Sequence, residues 1–452
     1  MTQARTRQRG GATVARRCAY DVVRRVFEQG AYADRAFRAR AADYGLGVRD
    51  RAFAMRLAYG TIQRKATLDH LIEQLTERST RRLDPPLLVA LRLGLYQIVY
   101  LAGVEDHAAV NESVELARAR RRGGHRLVNA VLRRATREAP ALAASLTDRT
   151  PADAALRHSY PPWISELWWQ MLGDREAIAL MECNNEAPES AVRANTLRTS
   201  AMDLVAALTS EGIRARADAL IEEAVVFEQP YDVHGSALFE RGQLMPQSRA
   251  SMLVARALDP QPGERVLDLC AAPGAKTTHL AALMGDRGSL IAVDLNRQRV
   301  RAIAANCERL GVSCVEAREG DARESAFGGG FDRVLVDPPC SDLGTLQSRP
   351  DVRWRKRKRH VAELGAIQRQ ILDAAAGAVS PGGRLVYSTC TISAAENEQQ
   401  IGDFLARHED FSALDLSAAY PQAAQPGSGF LQTLPHRHGT DGFFVASLKR
   451  NL

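Results

Sequence analysis

The stretch Arg265 to Leu283, RVLDLCAAPGAKTTHLAAL, constrains the fold more than any other. Val266, Leu267 and Leu269, around Asp268, make a short apolar run with the length and character of a buried strand. Pro273, Gly274 and Ala275 then let the backbone turn with little side-chain bulk, and Lys276, Thr277, Leu280 and Leu283 restart at helical spacing. Strand, small-residue loop and helix form the corner where open α/β sheets hold a nucleotide-like ligand, its polar part near the exposed N–H groups of the helix start. The loop has neither GxGxxG nor GxxxxGK[ST] spacing, so neither NAD nor ATP is its natural ligand.

Three later segments narrow the choice. GSLIAVD, Gly288 to Asp294, is a second apolar run ending in an acid, about 20 residues past the loop, where an α/β nucleotide site places the carboxylate for ribose hydroxyls. FDRVLVDPPC, Phe331 to Cys340, again ends in an acid, and Pro338-Pro339 stiffens the turn that presents Cys340. GGRLVYSTC, Gly382 to Cys390, is a further strand with a cysteine at its end. Two strand-end cysteines in one doubly wound sheet face the same cleft. From about Gly235 to the C-terminus helical and strand patterns alternate, as a doubly wound parallel sheet requires.

Ahead of this lies a different texture. The first 140 residues are helical by pattern: Leu88, Leu91, Leu95 and Ile98 share a face, as do Val110, Val114 and Ala117, and Leu127, Val128, Val131 and Leu132. Asp84-Pro85 is a helix start with proline at its first position. Leu87 to Val104 is apolar but has Arg92 and Gln97 in its middle, which suits a core helix better than a membrane span. Ala139 to about Ser159, with Pro140 and Pro151, is expected to bridge domains. The aromatic segment from Tyr160 through Trp163, Trp168 and Trp169 is expected to pack as core. AVRANT (Ala191 to Thr196), a helix capped by Ser200, and AVVFE (Ala224 to Glu228) suggest a small αβ module.

Charge and cysteine usage limit the setting. The net charge is +7, which suggests a polyanionic partner. Cysteines 18, 183, 270, 307, 314, 340 and 390 form an odd set without CxxC pairs, a reduced, cytoplasmic usage with no metal expected. Met1 to Gly11 is basic without an apolar continuation, so no secretory signal is read there. Two basic clusters stand out. Arg118, Arg120, Arg121, Arg122, Arg126, Arg133, Arg134 and Arg137 flank Gly123-Gly124; they suit either a solvated helix face or phosphate contact. RWRKRKR, Arg353 to Arg359, suits a solvated loop, but better a grip on the phosphates of a nucleic acid with Trp354 as a stacking surface.

CAAPGAKT, VDLN (Val293 to Asn296), GDA (Gly320 to Ala322), DPPCS and STCT, in this order, resemble the RNA cytosine-5 methyltransferases of the Nol1/Nop2/Sun family. LRLGLYQIVYL, HAAVNESVELARAR and HRLVNAVLRR resemble the NusB-type RNA-binding domain fused ahead of the methyltransferase in the Sun branch of that family. Two positions depart from the family pattern: Ala275 replaces a usual second glycine, and Asp342 stands where many members have glycine after the PCS. A methyl group at 275 requires a negative φ there.

The resemblance implies a class I, Rossmann-like methyltransferase domain over 235–452, an all-α NusB-like domain over 1–140, and a linker with a small α+β RNA-binding module over 141–234. It implies S-adenosylmethionine as donor, with Cys270, Ala271, Ala272, Pro273, Gly274, Ala275 and Lys276 lining its pocket. Asp294 would then accept from the ribose hydroxyls, Asp321 would approach the adenine, and Asp337 would lie between donor and base. The branch acts on a cytosine of 16S ribosomal RNA, as free RNA or in an assembly intermediate; a monomer is expected. A transfer-RNA cytosine-5 methyltransferase and a catalytically inactive RNA-binding or assembly protein are the alternatives.

The chemistry follows from cytosine itself. C5 is too poor a nucleophile to attack a methyl sulfonium directly, so a thiolate must first add to C6. The resemblance gives that attack to Cys390, product release to Cys340 and base-edge stabilisation to Asp337. Cytosine-5 methyltransferases of DNA use the cysteine of a Pro-Cys pair, which here would make Cys340 the attacker.

Overall fold

The apolar repeat around Leu91 and Leu95 falls on the helix Pro85–Tyr100, which is buried on nearly all sides, as a helix without a polar face must be. Each buried leucine there contributes about 1.5–3 kcal/mol. Its two polar members are paired inside the protein. Arg92 makes a two-pronged ion pair with Asp69, at 2.6 and 2.8 Å, and Gln97 accepts from Arg16 Nε at 2.6 Å. Gly94 sits where a Cβ would come within 2.4 Å of Leu132, so glycine is what lets the helix Gly124–Ala144 approach this closely. In this computed structural model the described residues are 11–119, 123–324, 327–425 and 427–452. Among them, no helix is long and apolar enough to cross a membrane.

Contacts divide the chain into two units: the chain to Ala187 together with Arg349–Arg355, and Pro188–Ser348 together with Lys356–Leu452. The first unit is helical. The segment expected to bridge domains instead continues it: the helix Gly124–Ala144 runs through Pro140, and Pro151–His158 forms another helix whose Thr150 side chain caps it by accepting from Asp153 N. Proline here removes one ladder donor near the end of a long helix, where tertiary packing outweighs its cost. Tyr160 and Trp168 are buried edge to face in this unit's core, with ring centroids 5.5 Å apart.

The basic run is not what its composition suggested. Arg353 is fully buried in the first unit, its guanidinium donating to Ser159 O at 3.2 Å, Asn184 O at 3.2 Å and Asn185 Oδ1 at 2.9 Å, and lying 4.1 Å over the Tyr160 ring. Trp354 donates to Ile62 O at 2.7 Å, and Arg355 pairs with Asp351 at 2.6 Å and donates to Gly30 O and Ala31 O. These three side chains satisfy backbone carbonyls, so the expected phosphate grip and stacking surface are overturned for them. Arg357, Lys358 and Arg359 are exposed. Of the other cluster, Arg120, Arg121 and Arg122 lie outside the described residues, while Arg118 pairs with Glu115 and Arg134 with Glu138.

The second unit holds two sheets. The smaller is antiparallel, of β1 (Ala191–Ala194), β2 (Ala215–Ala217), β3 (Ala224–Phe227) and β4 (Leu244–Pro246), in the order β2-β3-β1-β4, with the helix Ala201–Ser210 against it. The larger contains β5 (Arg265–Leu269), β6 (Ser289–Asp294), β7 (Val315–Glu319), β8 (Phe331–Val336), β9 (Val379–Thr389), β10 (Phe411–Leu414), β11 (Leu431–Gln432) and β12 (Phe444–Arg450). Its order is β10-β12-β9-β8-β5-β6-β7, with β11 paired to β12. Strands β5 to β9 pair in parallel; β12 is antiparallel to β9, and β10 to β12. The fold is therefore an all-α unit and a unit built on a Rossmann-like, mostly parallel sheet. β5 has β6 on one side and β8 on the other, the reversal point at whose carboxyl edge ligands sit in such sheets.

Candidate active site

Register brings the site together. Leu269 pairs with Val293 and with Val336, and Val336 with Tyr387, so the residues that follow, Cys270, Asp294, Asp337 and the β9 end from Ser388 to Cys390, emerge side by side at one edge. The loop after β5 is shaped by its small residues. Cys270 has φ of +64°, the Ala272–Pro273 peptide is cis, and Gly274 has φ of +94° with an added Cβ only 3.2 Å from Ile303 Cα, so only glycine suits position 274. Ala275 is already the first residue of the helix Ala275–Leu283, which meets the condition for its methyl group.

The acids at this edge are all held. Asp337 accepts from Lys276 Nζ at 2.7 Å and from Ser388 Oγ at 2.8 Å. Burial works against the Lys276 ammonium, but the Asp337 carboxylate beside it wins and raises its pKa. Asp294 is buried, accepting from Ala272 N at 3.3 Å and Asn296 N at 3.2 Å. Asp321 is gripped by Arg323, whose Nε lies 2.9 and 3.0 Å from its two oxygens, and these bonds hold its carboxyl below the ordinary range. Asp268, inside β5, accepts from Thr277 Oγ1 at 2.6 Å; complete burial pushes its pKa up to about 7.

Cys340 and Cys390 meet, sulfur to sulfur, at 3.3 Å, both as free thiols. Asp342 accepts from Cys390 Sγ at 3.2 Å, and Lys356 Nζ bridges Asp342 Oδ2, at 2.8 Å, and Cys340 O, at 2.7 Å. The hydrogen bond with Cys340, burial, and the negative charge of Asp342 together hold the Cys390 pKa well above that of an ordinary thiol. The ligand atoms of Cys340, Asp342 and Cys390 lie within 4.8 Å of one another, a donor set that a thiophilic metal could use.

A buried network that sequence reasoning missed fastens the two cysteine loops. Glu396, fully buried, accepts from Ser341 N at 2.8 Å and Gln368 Nε2 at 3.1 Å and is bonded to Ser341 Oγ; Ser341 Oγ in turn meets Thr391 Oγ1 at 2.6 Å. Gly344 N donates to Cys390 O at 3.0 Å, and Asn397 bonds Thr389 Oγ1 at 2.6 Å and Thr391 O at 3.0 Å. The acid in AENE after STCT was the available signal, but nothing in its spacing says which way it faces. Arg193, read only as part of a strand, was missed too. It reaches from β1 to Ala275 O at 2.6 Å and Thr278 Oγ1 at 3.0 Å, anchoring the helix that follows the loop. Chemically, the edge offers a small-residue loop with a helix start without a side-chain cap, buried acceptors, and a thiol pair beside an ion-paired carboxylate.

Comparison with known proteins places these elements. Residues 255–449 match the family described as 16S rRNA methyltransferase RsmB/F, 13–137 the NusB family, and 160–234 the ferredoxin-like domain of RsmF/B-like methyltransferases. A "Probable ribosomal RNA small subunit methyltransferase B" of Synechocystis sp. is 37% identical over 443 residues, 96% of this chain and 99% of the relative. The crystal structure of PH0851 superposes with a TM-score of 0.84 at 27% identity, over 97% of this chain and 98% of that one. The structure of NSun6 from Pyrococcus horikoshii with SFG gives 0.60 at 26% identity, over 65% and 99%.

Proposed function

The chain belongs to the 16S rRNA methyltransferase RsmB/F family, and from that premise we propose that it methylates C5 of a cytosine in 16S ribosomal RNA, with S-adenosylmethionine as donor and a covalent Cys390–C6 bond on the way. The observation that supports this reading best is the pair of thiols 3.3 Å apart at the edge where the loop after β5 and Asp337 also emerge.

The donor suits the residues present. Asp294 is a buried acceptor at the end of β6, suited to a ribose diol. The N–H groups at the start of Ala275–Leu283, where Gly274 brings no side-chain cap, suit a carboxylate. Cys270 to Lys276 form the wall between them, and Asp321 is the acid nearest in role to the adenine. When bound, S-adenosylmethionine supplies an electrophilic methyl group on a sulfonium.

The protein's own part runs in three steps. Cys390 Sγ adds to C6 of the cytosine, and the C5–C6 π pair moves onto C5, making it the nucleophile. Asp337, fixed by Lys276 and Ser388, binds the base edge and stabilises the charge that develops there. After methylation, Cys340, its own thiol proton given up to solvent, takes the C5 proton as a thiolate, the C–H pair restores the C5–C6 double bond, and the C6–S pair leaves with Cys390.

Two measurements test this. Bisulfite sequencing of total RNA from a deletion strain should lose one site in 16S rRNA; loss of a transfer-RNA site instead, or of none, refutes the target. Incubating variants with 16S rRNA and donor before a denaturing gel tests the chemistry. Cys340→Ala should leave protein joined to RNA and Cys390→Ala should not; the reverse pattern makes Cys340 the attacking residue.

A further inference from the structure

If Cys390 attacks C6, its proton must go somewhere, and the resting site holds it as a thiol rather than a thiolate. The charged and titratable groups around it are Cys340, Asp342, Asp337, Lys276 and Lys356. Cys340, 3.3 Å away, is the group the scheme above reserves for the C5 proton. Asp337 has its two oxygens on Lys276 and Ser388. Among the described residues, Asp342 is the acid whose oxygen is hydrogen-bonded to Cys390 Sγ, at 3.2 Å.

Asp342 is also in an unusual place. Its φ is +59°, a left-handed conformation that glycine adopts freely and a side-chain-bearing residue adopts at a cost, aspartate less than most. Glycine would therefore be the easier residue at this turn, and an acid at this point has to be explained by what its carboxylate does. That carboxylate is aimed rather than loose. Lys356 holds Oδ2 at 2.8 Å while also donating to Cys340 O at 2.7 Å, which leaves Oδ1 facing the thiol.

Building on the covalent reading above, we propose that Asp342 is a catalytic residue that takes the Cys390 proton when sulfur adds to the base and returns it when sulfur leaves. On addition, the S–H bond breaks, its proton passes to Asp342 Oδ1, and the sulfur pair forms the bond to C6. On elimination, the C6–S pair goes back to sulfur, which recovers the proton from Asp342. Cys390 and Asp342 thus end these two steps in the protonation states in which they began, and no outside acid or base enters them; the proton that the reaction releases to solvent leaves through Cys340, which takes the C5 proton in exchange. Lys356 is a positioning residue: it holds Oδ2 and so keeps Oδ1 turned toward the thiol.

The test uses the full chain carrying Cys340→Ala, so that the covalent adduct accumulates. Its formation with a 16S rRNA transcript and S-adenosylmethionine is followed by rapid quench and denaturing gel from about pH 6 to about pH 9. Adding Asp342→Asn should slow adduct formation about 100-fold near neutral pH, with the rate then rising about tenfold per pH unit as hydroxide replaces the carboxylate. Asp342→Gly, which relieves the φ of +59° and so keeps the turn, should do the same. Donor affinity by calorimetry should match that of Cys340→Ala in both, a readout that damage to the fold would change. Adduct rates within about twofold of Cys340→Ala, or slow rates that do not depend on pH, overturn the role of Asp342. Absence of any adduct with Cys340→Ala alone instead overturns the covalent scheme itself, and this proposal with it.

Discussion

Cys270 to Lys276 reaches the sheet edge as one continuous stretch, whereas Cys340 and Cys390 arrive from strand ends fifty residues apart and are joined through Glu396. The first is a local device. Its turn is set by Gly274 and its acceptor, Asp294, needs only the neighbouring strand β6. The second is a tertiary device: Ser341, Thr391, Gln368 and Glu396 each come from a different position in the chain, and none is useful without the others. The lesson is that a ligand loop can be encoded in a run of residues, but a thiol pair at 3.3 Å has to be held by a buried network whose members are individually unremarkable in sequence.

That contrast predicts unequal sensitivity to mutation. The largest effect is expected on the cysteine side. Glu396→Ala should leave Ser341 N buried without its acceptor, at about 1–3 kcal/mol, leave Gln368 Nε2 with only Pro339 O, and loosen the thiol pair enough to lower kcat about 100-fold. Denaturant unfolding and single-turnover methylation check the two parts, and donor affinity should move little. If donor binding falls as steeply as kcat, the two sides are not separate devices.

On the donor side the loss should be confined to binding. Asp294→Ala removes a buried charged acceptor and should weaken S-adenosylmethionine by about 10- to 100-fold, equivalent to about 1.5–3 kcal/mol. Calorimetric titration reads it directly, and adduct formation at saturating donor should survive. Unchanged affinity would remove Asp294 from the donor site.

The smallest expected effect sharpens the comparison inside β5. Asp268 has its pKa raised from 3.8 to about 7 by burial. A carboxyl raised on folding favours the folded state while protonated, and that contribution is lost as pH rises through the folded value. Wild type should therefore lose stability relative to Asp268→Asn between about pH 4 and about pH 7, asparagine keeping an acceptor for Thr277 without the charge. Urea midpoints of both proteins at pH 5 and pH 8 test it; a constant difference would mean Asp268 does not titrate in this window.

Much of the architecture was legible because it is written in local pattern. Apolar runs of strand length alternate with helical spacing across the second unit, and β5, β6, β8 and β9 form where those runs lie, whereas β7, with its alternating charges, was not read from the sequence. The strand-end positions of Asp294, Asp337, Cys340 and Cys390 followed from the same runs, since the residue after a parallel strand must emerge at its carboxyl edge. The small module was legible in β1, β3 and its helix, but β2, β4 and the sheet order were not, because antiparallel pairing of short strands depends on partners elsewhere in the chain.

The basic stretch Arg353 to Arg359 marks where sequence stopped. Its residues read alike as a charged run, yet Arg353 is buried against carbonyls of Ser159 and Asn184, Lys356 holds Asp342, and Arg357 to Arg359 face solvent. Composition specifies how many cations are present; only the folded chain decides which carbonyls and carboxylates lack partners, and a buried unpaired acceptor is costly enough to draw an arginine in. So the sequence by itself determined a helical domain, a doubly wound sheet and the residues at its carboxyl edge, because strand and helix periods are local. The tertiary structure alone decided that Glu396 clasps the cysteine loops, that Asp342 faces Cys390 and that Arg353 is a core residue, because burial and hydrogen-bond satisfaction belong to residues far apart in the chain.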